Sequence, residues 1–349
     1  MLNSNFNIAP FNESNAVTKD GIDLNIVHYY LSDKDKIVEQ LGLSLDMFTK
    51  LFGKLDNKKL NVVVNADPNY NAYYGYSQIS GAFLNSDMIA DGACDMAKLW
   101  WADQINISSY RDEWLYAGIC SYASLLYIQL IRKDYESYNR NLNLYAKEIK
   151  TQLSSLTTKG RKPGIISVGY RNGRDFDRIV ELKSVWVFQM IRNMMLDLNT
   201  MNEDLFVTTL RDFFKTYKGK LVTTQDFRDC LEKNTKFDFS WFFEEWLNTN
   251  DIPTYKYAYK TEKVDGKFVT KFRVKQENVP TDFKMLIPIA LVDDNKKSTA
   301  TRAYITGDKV IEFALAPTAT EPDKVVFNYL NSVLCELDEV GWNSLKPTN

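Results

Sequence analysis

The chain has 349 residues, of which 45% are hydrophobic and 25% charged, ordinary proportions for a soluble globular protein. Lysine and arginine number 43 against 45 aspartate and glutamate residues, so the net charge of −2 disfavours nucleic acid and anionic membranes as partners. The length exceeds that of one small core and predicts two domains, or one large domain with an appendage.

The sequence also bears on the location of the protein. The most apolar run, residues 122–131, is about half as long as the ~20 residues that a membrane span needs, and it predicts a buried helix instead. The N-terminal sequence M-L-N-S-N-F-N-I-A-P lacks the positive and apolar regions of a signal peptide. We therefore expect neither a membrane span nor a signal peptide, and the chain is either cytoplasmic or an excised domain of a longer protein.

Cysteine and histidine limit the possible chemistry. Cys94, Cys120, Cys230 and Cys335 lie far apart without a C-x-x-C pair, and free buried thiols are expected. The single histidine, His28, lies in a strand-like run, so any mechanism that needs two histidines is excluded. A Cys–His or Ser–His dyad could use only His28, for which a structural role is favoured.

The N-terminal part predicts a small sheet with one helix. Residues 1–20 are polar and predict a loop, and the strand-like run around His28 follows them. Apolar residues at a spacing of three to four predict a helix over 32–53. The β-branched run 60–65 predicts a buried strand, and 78–84 predicts an edge strand after a turn-rich segment.

The middle and the C-terminal part of the chain differ in the period with which hydrophobic residues recur. Helices are predicted over about 86–102, 112–133 and 135–156, and further helices with aromatic residues at a spacing of three to four extend to residue 251. Cys94 and Lys98 would lie one turn apart on the same face of the first of these helices. Residues 254–338 alternate with period two, which predicts a small antiparallel sandwich of six or seven strands.

Two neighbouring motifs carry a family resemblance. W-W-A-D, residues 100–103, is followed by Y-R-D-E-W-L-x-x-G-x-x-x-Y, residues 110–122. Together they resemble the core of the zinc aminopeptidases related to aminopeptidase N, in which the run is H-E-x-x-H-x-W-W-G-D. The chain resembles the bacterial branch of this gluzincin family as a degenerate member, and the segments T-T-Q-D-F and W-F-F-E-E-W-L fit the same pattern.

The resemblance implies which positions would carry the chemistry. The two histidine ligands of the family fall on Cys94 and Lys98, and the third ligand, a glutamate, falls on Ala117, 19 residues after Lys98. The family's general base falls on Asp95, and the tyrosine that stabilises the oxyanion falls on Glu181. A catalytic zinc needs three protein ligands, and of these side chains only the Cys94 thiol can bind one. We therefore expect no zinc and no other cofactor, and no catalytic residues.

The substrate-binding motif G-x-M-E-N is also altered. It would lie near residues 74–81, where Gln78 is the nearest side chain to the family's glutamate. Gln78, Asp95, Lys98 and Glu181 are the side chains that we expect to line the cleft.

Two interpretations of the altered site stay open. The loss of a dication leaves a polar cavity, and the Lys98 ammonium could fill it while facing Asp95 and Glu181. Alternatively, the site has drifted and these side chains point to water.

Cys94 could also act as a nucleophile with its pKa lowered by Lys98, but without an imidazole partner a structural role is favoured.

The resemblance implies an α+β fold: a thermolysin-like domain over residues 1–251, with a small mixed sheet in about 1–85 and a helical part in about 86–251, followed by an antiparallel β-sandwich over 252–340. The expected function is that of a catalytically inactive aminopeptidase-like protein that binds an extended peptide or a protein, or serves as a scaffold. A metallo-aminopeptidase with a divergent site, acting on N-terminal residues of peptides, is the alternative. A purely structural part of a longer protein or complex is the third possibility.

Overall fold

A computed structural model describes residues 12–19, 21–28, 34–56, 58–65, 76–80, 89–160, 165–167 and 174–347. The chain divides into two compact units, the first formed by Met1–Phe188 and Asp204–Ser240 and the second by Gln189–Glu203 and Trp241–Asn349. The second unit thus includes helical residues before 252 as well as the C-terminal strands. The domain boundaries at 1–251 and 252–340 stay a prediction.

The first unit contains a four-stranded sheet in the order β1 (Asn12–Val17), β2 (Asp23–His28), β3 (Lys59–Asn65) and β4 (Tyr76–Ser80). Strands β1 and β2 are antiparallel, and the other two pairs are parallel. Helix α1, Lys34–Phe52, connects β2 to β3. The prediction of a loop over 1–20 was wrong for the residues of β1. This strand is polar and largely exposed, so it shows no apolar pattern in the sequence, and it is defined by its pairing with β2.

Helices form the rest of the first unit and part of the second. The helices that follow β4 are α2 (Ile89–Trp101), α3 (Glu113–Leu130), α4 (Tyr135–Thr158), α5 (Arg174–Met195), α6 (Asp204–Tyr217), α7 (Thr224–Thr235) and α8 (Ser240–Leu247). Two short parallel strands, β5 (Asn106–Ile107) and β6 (Leu221–Val222), pair beside them. None of the helices in the described part of the chain is long and apolar enough to cross a membrane.

Aromatic rings from the two motifs form the core of the first unit. Trp100 and Trp114 are fully buried, and the Trp101 ring stacks on Phe213 with centroids 5.7 Å apart. The Trp114 ring lies 5.7 Å from Phe188 on α5. The tryptophans of the two motifs therefore pack α2 and α3 against neighbouring helices.

The N-terminus of α3 is tied to α7 by one buried carboxylate. Asp112 Oδ1 accepts hydrogen bonds from the backbone N–H of Thr224 at 2.7 Å and from its hydroxyl at 2.9 Å. Its Oδ2 accepts from the Ser109 hydroxyl at 2.9 Å, and the Trp114 indole donates to the same Thr224 hydroxyl. The Y-R-D-E-W motif thus joins two segments more than a hundred residues apart.

The C-terminal strands form two sheets in the second unit. One has the order β11-β8-β7-β13 and the other β10-β9-β12. The strands are β7 (Thr254–Val264), β8 (Lys267–Glu277), β9 (Lys284–Val292), β10 (Ser298–Thr306), β11 (Ile311–Ala314), β12 (Lys324–Phe327) and β13 (Glu336–Glu339). The predicted number of strands is confirmed. One pair, β7 with β13, is parallel where an antiparallel sandwich was predicted, because the chain returns to the edge of β7 from the opposite end.

Candidate functional site

The candidate site lies where α2 packs on α3. Cys94, Asp95 and Lys98 are on α2, and Cys94 and Lys98 are one turn apart, as the sequence predicts. Ala93 and Met96, on other faces of α2, are fully buried within the first unit.

Lys98 and Asp95 form an ion pair that is largely shielded from solvent. The Lys98 Nζ donates to Asp95 Oδ1 at 2.7 Å, and the two side chains are only 13% and 14% exposed. Burial alone would lower the pKa of Lys98, but the charge of the Asp95 carboxylate and the hydrogen bond to it outweigh burial and hold that pKa above its ordinary value. The ammonium is therefore charged throughout the physiological pH range.

Glu181 on α5 is connected to these side chains through Ser121 on α3. Its Oε1 accepts a hydrogen bond from the Ser121 hydroxyl at 2.9 Å, and Ser121 also hydrogen-bonds Cys94. Lys98 beside Asp95 agrees with the hypothesis of an internal cation, and Glu181 is connected to that pair through Ser121 and Cys94. We call Cys94, Asp95, Lys98, Ser121 and Glu181 the α2–α3 polar cluster.

The Cys94 thiol is poorly suited to nucleophilic attack. Burial raises its pKa to about 12, and the neighbouring Asp95 and Glu181 carboxylates add to the effect against the opposing influence of Lys98. At pH 8 this pKa leaves about one thiolate in ten thousand molecules. The structural role favoured by the sequence is in keeping with this protonation state.

The other cysteines and the histidine are also accounted for. All four cysteines are free thiols, as expected; Cys120 and Cys230 are buried, whereas Cys94 and Cys335 are partly exposed. The His28 Nε2 lies 3.2 Å from the Ser14 hydroxyl across the β1–β2 pair, a structural position in the sheet.

Ala117 lies on α3 one turn before Ser121 and is 6% exposed. It faces α2, since Ser121 on the same side of α3 contacts Cys94 and the adjacent Tyr116 is within electrostatic range of Lys98. The backbone of Gln78 belongs to β4, but its side chain lies outside the described residues. The expected lining of a cleft by Gln78 therefore stays a prediction.

The donor set at the positions that the resemblance assigns to metal ligands does not fit a catalytic zinc. A thiol, a protonated amine and a methyl group stand where three ligands are needed. Across the described ranges, His, Cys, Asp and Glu side chains form no group of three or more that could hold a metal ion.

Sequence reasoning missed Ser121, Tyr116 and Cys120 as neighbours of this site. Cys120 is buried near Cys94 and Lys98, and burial raises its pKa well above the ordinary value. Helical spacing could have identified Ser121, since it lies four residues after Ala117 and thus on the same face of α3. Cys120 lies three residues after Ala117 and is indicated by the same spacing, whereas the proximity of Tyr116 depends on how α2 and α3 cross.

Comparison with known proteins agrees with the motifs. Residues 87–246, which contain Cys94, Asp95, Lys98, Ala117 and Glu181, match the family described as the peptidase family M1 domain. No curated protein sequence matches the chain significantly.

The fold is similar to that of a bacterial aminopeptidase. Legionella pneumophila aminopeptidase A, solved in complex with aspartic acid, superimposes with a TM-score of 0.71 at 16% sequence identity. The match covers 94% of this chain and 38% of that chain, so the present chain spans well under half of its structural neighbour. The α+β, aminopeptidase-like fold predicted from the motifs is therefore confirmed.

Proposed function

We propose that this chain is a non-hydrolytic, aminopeptidase-like protein that uses the inherited cleft to bind an extended peptide or a segment of a protein partner. The observation that carries the proposal is the ion pair between Lys98 and Asp95. It joins the position of a metal ligand to the position of the general base, in a chain whose fold is that of an aminopeptidase.

The ion pair supports the loss of hydrolysis in two ways. The Lys98 ammonium supplies a positive charge near the position of the lost cation, and an ammonium offers no lone pair to a metal. The Asp95 carboxylate accepts a hydrogen bond from that ammonium, and this charge pairing makes it a weaker base towards an attacking water. Binding does not require either function, because peptide clefts are largely preformed by the fold.

A metallo-aminopeptidase with a divergent site is the alternative function. It is supported by the match of residues 87–246 to the peptidase family M1 domain and by the aminopeptidase fold. It requires a metal bound through ligands other than the inherited three. Metal analysis therefore separates the two proposals.

The purified protein is expected to contain far less than one zinc per chain and to release no amine from aminoacyl-4-nitroanilides with or without added zinc. Mass spectrometry of the metal content and a chelator titration measure both. Stoichiometric zinc together with chelator-sensitive hydrolysis would favour the alternative and reject the main proposal.

A restored variant tests the assignment of positions. Combining Cys94→His, Asp95→Glu, Lys98→His and Ala117→Glu is expected to create a site that takes up about one zinc or cobalt per chain. The matched control retains Ala117 and carries only the other three changes, and it should bind the metal at least tenfold more weakly because one ligand is missing. A folded quadruple variant without metal binding would show that these positions do not converge.

Peptide binding is the direct test of the proposed activity. Fluorescence anisotropy with a library of extended peptides should identify sequences whose affinity falls about tenfold in folded Lys98→Gln, because the proposal places the cluster beside the peptide-binding cleft. Lys218→Gln removes a cation from an exposed pair with Asp56 and serves as the control. A library without a binder, or equal affinity in wild type and both variants, would favour a purely structural role.

A further inference from the structure

Glu245 on α8 makes a contact with strand β9 that is incompletely satisfied. Its Oε1 accepts a hydrogen bond from the backbone N–H of Lys284, the first residue of β9, at 3.1 Å. Its Oε2 is buried and has no hydrogen-bond partner among the described residues. The next residue of α8, Trp246, packs on Phe283 with ring centroids 5.7 Å apart, so Glu245 lies at the contact between α8 and β9.

The charged and titratable groups around Glu245 compensate a negative charge on its carboxyl group only in part. The Lys284 ammonium lies over the ring of Trp241 at 5.6 Å, while Asp282 just before β9 adds a second negative charge. From β7 the Tyr255 hydroxyl faces the same region, but it donates to Gln276 Oε1 at 3.2 Å. An ionised Glu245 would therefore keep one oxygen buried without a donor, which is unfavourable.

We propose that the carboxyl group of Glu245 is a pH-sensitive contact that secures α8 against β9 when protonated and loosens this contact when ionised. The contact lies within one compact unit, and it is independent of the proposed peptide binding.

The direction of the pH dependence follows from the geometry. Burial raises the pKa of Glu245 to about 7, and Asp282 adds to this rise, while the Lys284 N–H and charge oppose it. The unfolded carboxyl group has the ordinary value of 4.5. Between these two values the native state binds more protons than the unfolded state, so stability is fully present below pH 4.5 and is lost as the pH rises towards 7.

Comparison of wild type with Glu245→Gln tests the proposal. The amide retains an acceptor oxygen for the Lys284 N–H but cannot ionise. As the pH rises from 5 to 7, ionisation of Glu245 is expected to raise the unfolding equilibrium constant of wild type by up to about tenfold per pH unit relative to the variant. Urea unfolding measures this difference, and hydrogen exchange of α8 and β9, corrected for the intrinsic effect of pH, localises it.

The matched control is Glu244→Gln on the same helix. Glu244 is exposed and accepts a hydrogen bond from Asn248 at 2.7 Å, so its replacement should leave the pH dependence unchanged. Equal pH dependence in wild type and Glu245→Gln, or loss of the dependence in Glu244→Gln, would overturn the proposal. Should Glu245→Gln fail to fold, carbon-13 NMR of the wild-type carboxyl group decides: a midpoint near 7 supports it, and one near 4.5 overturns it.

Discussion

Replacing Lys98 by methionine is expected to lower the free energy of unfolding by about 3–5 kcal/mol, because the buried Asp95 carboxylate loses its ammonium partner. Both side chains are less than 15% exposed, so water cannot restore the lost interaction at low cost. Urea unfolding at pH 7, followed by tryptophan fluorescence, measures the loss.

The double variant Lys98→Met with Asp95→Leu separates the ion pair from general packing. If the cost of the single change comes from removing the ammonium beside the Asp95 carboxylate, the double variant should be more stable than Lys98→Met alone. The control Lys218→Met breaks a pair with Asp56 in which the aspartate is 79% exposed, and it should cost less than about 1 kcal/mol. A similar small cost for both lysines would contradict the internal-cation interpretation.

Replacing Gly118 by alanine is expected to destabilise the first unit by about 3 kcal/mol through steric overlap. A Cβ at this position of α3 would lie 2.7 Å from the Cβ of Ser184 and 3.0 Å from the ring of Phe188, both on α5. Neither helix can yield without disturbing the packed aromatic core. Thermal and urea unfolding measure the effect.

A second substitution tests whether the clash itself is the cause. Ser184→Gly removes the nearer of the two obstructing groups, so combining it with Gly118→Ala should recover part of the lost stability. Gly42→Ala on α1 is the control, since a Cβ there meets nothing within 4 Å, and it should stabilise by up to about 1 kcal/mol. No recovery in the double variant would place the cost elsewhere than the α3–α5 contact.

The helices and the sandwich strands were predictable because their burial repeats with a regular period. The spacing of Cys94 and Lys98 on one face of α2 follows from helical geometry alone. Six of the seven C-terminal strands follow from alternation. Strand β13 does not, because its four residues are all exposed, and its parallel pairing is set by the direction of its connection. Strand β1 was not predicted, because cross-strand hydrogen bonds define it and its side chains carry no apolar pattern.

The sequence by itself determined which residue types stand at the positions that the resemblance assigns to the metal ligands and the general base, because Cys94, Asp95, Lys98 and Ala117 are counted from the W-W-A-D motif along α2 and α3. The tertiary structure decided what these residues do. It shields from solvent the Lys98–Asp95 pair, whose spacing on α2 the sequence already provides, and it connects Glu181 to Cys94 through Ser121. It also buries the Oε2 atom of Glu245, at the contact with β9, without a donor. These contacts join separate elements, or depend on how far a side chain is buried, and neither property can be read from spacing along the chain.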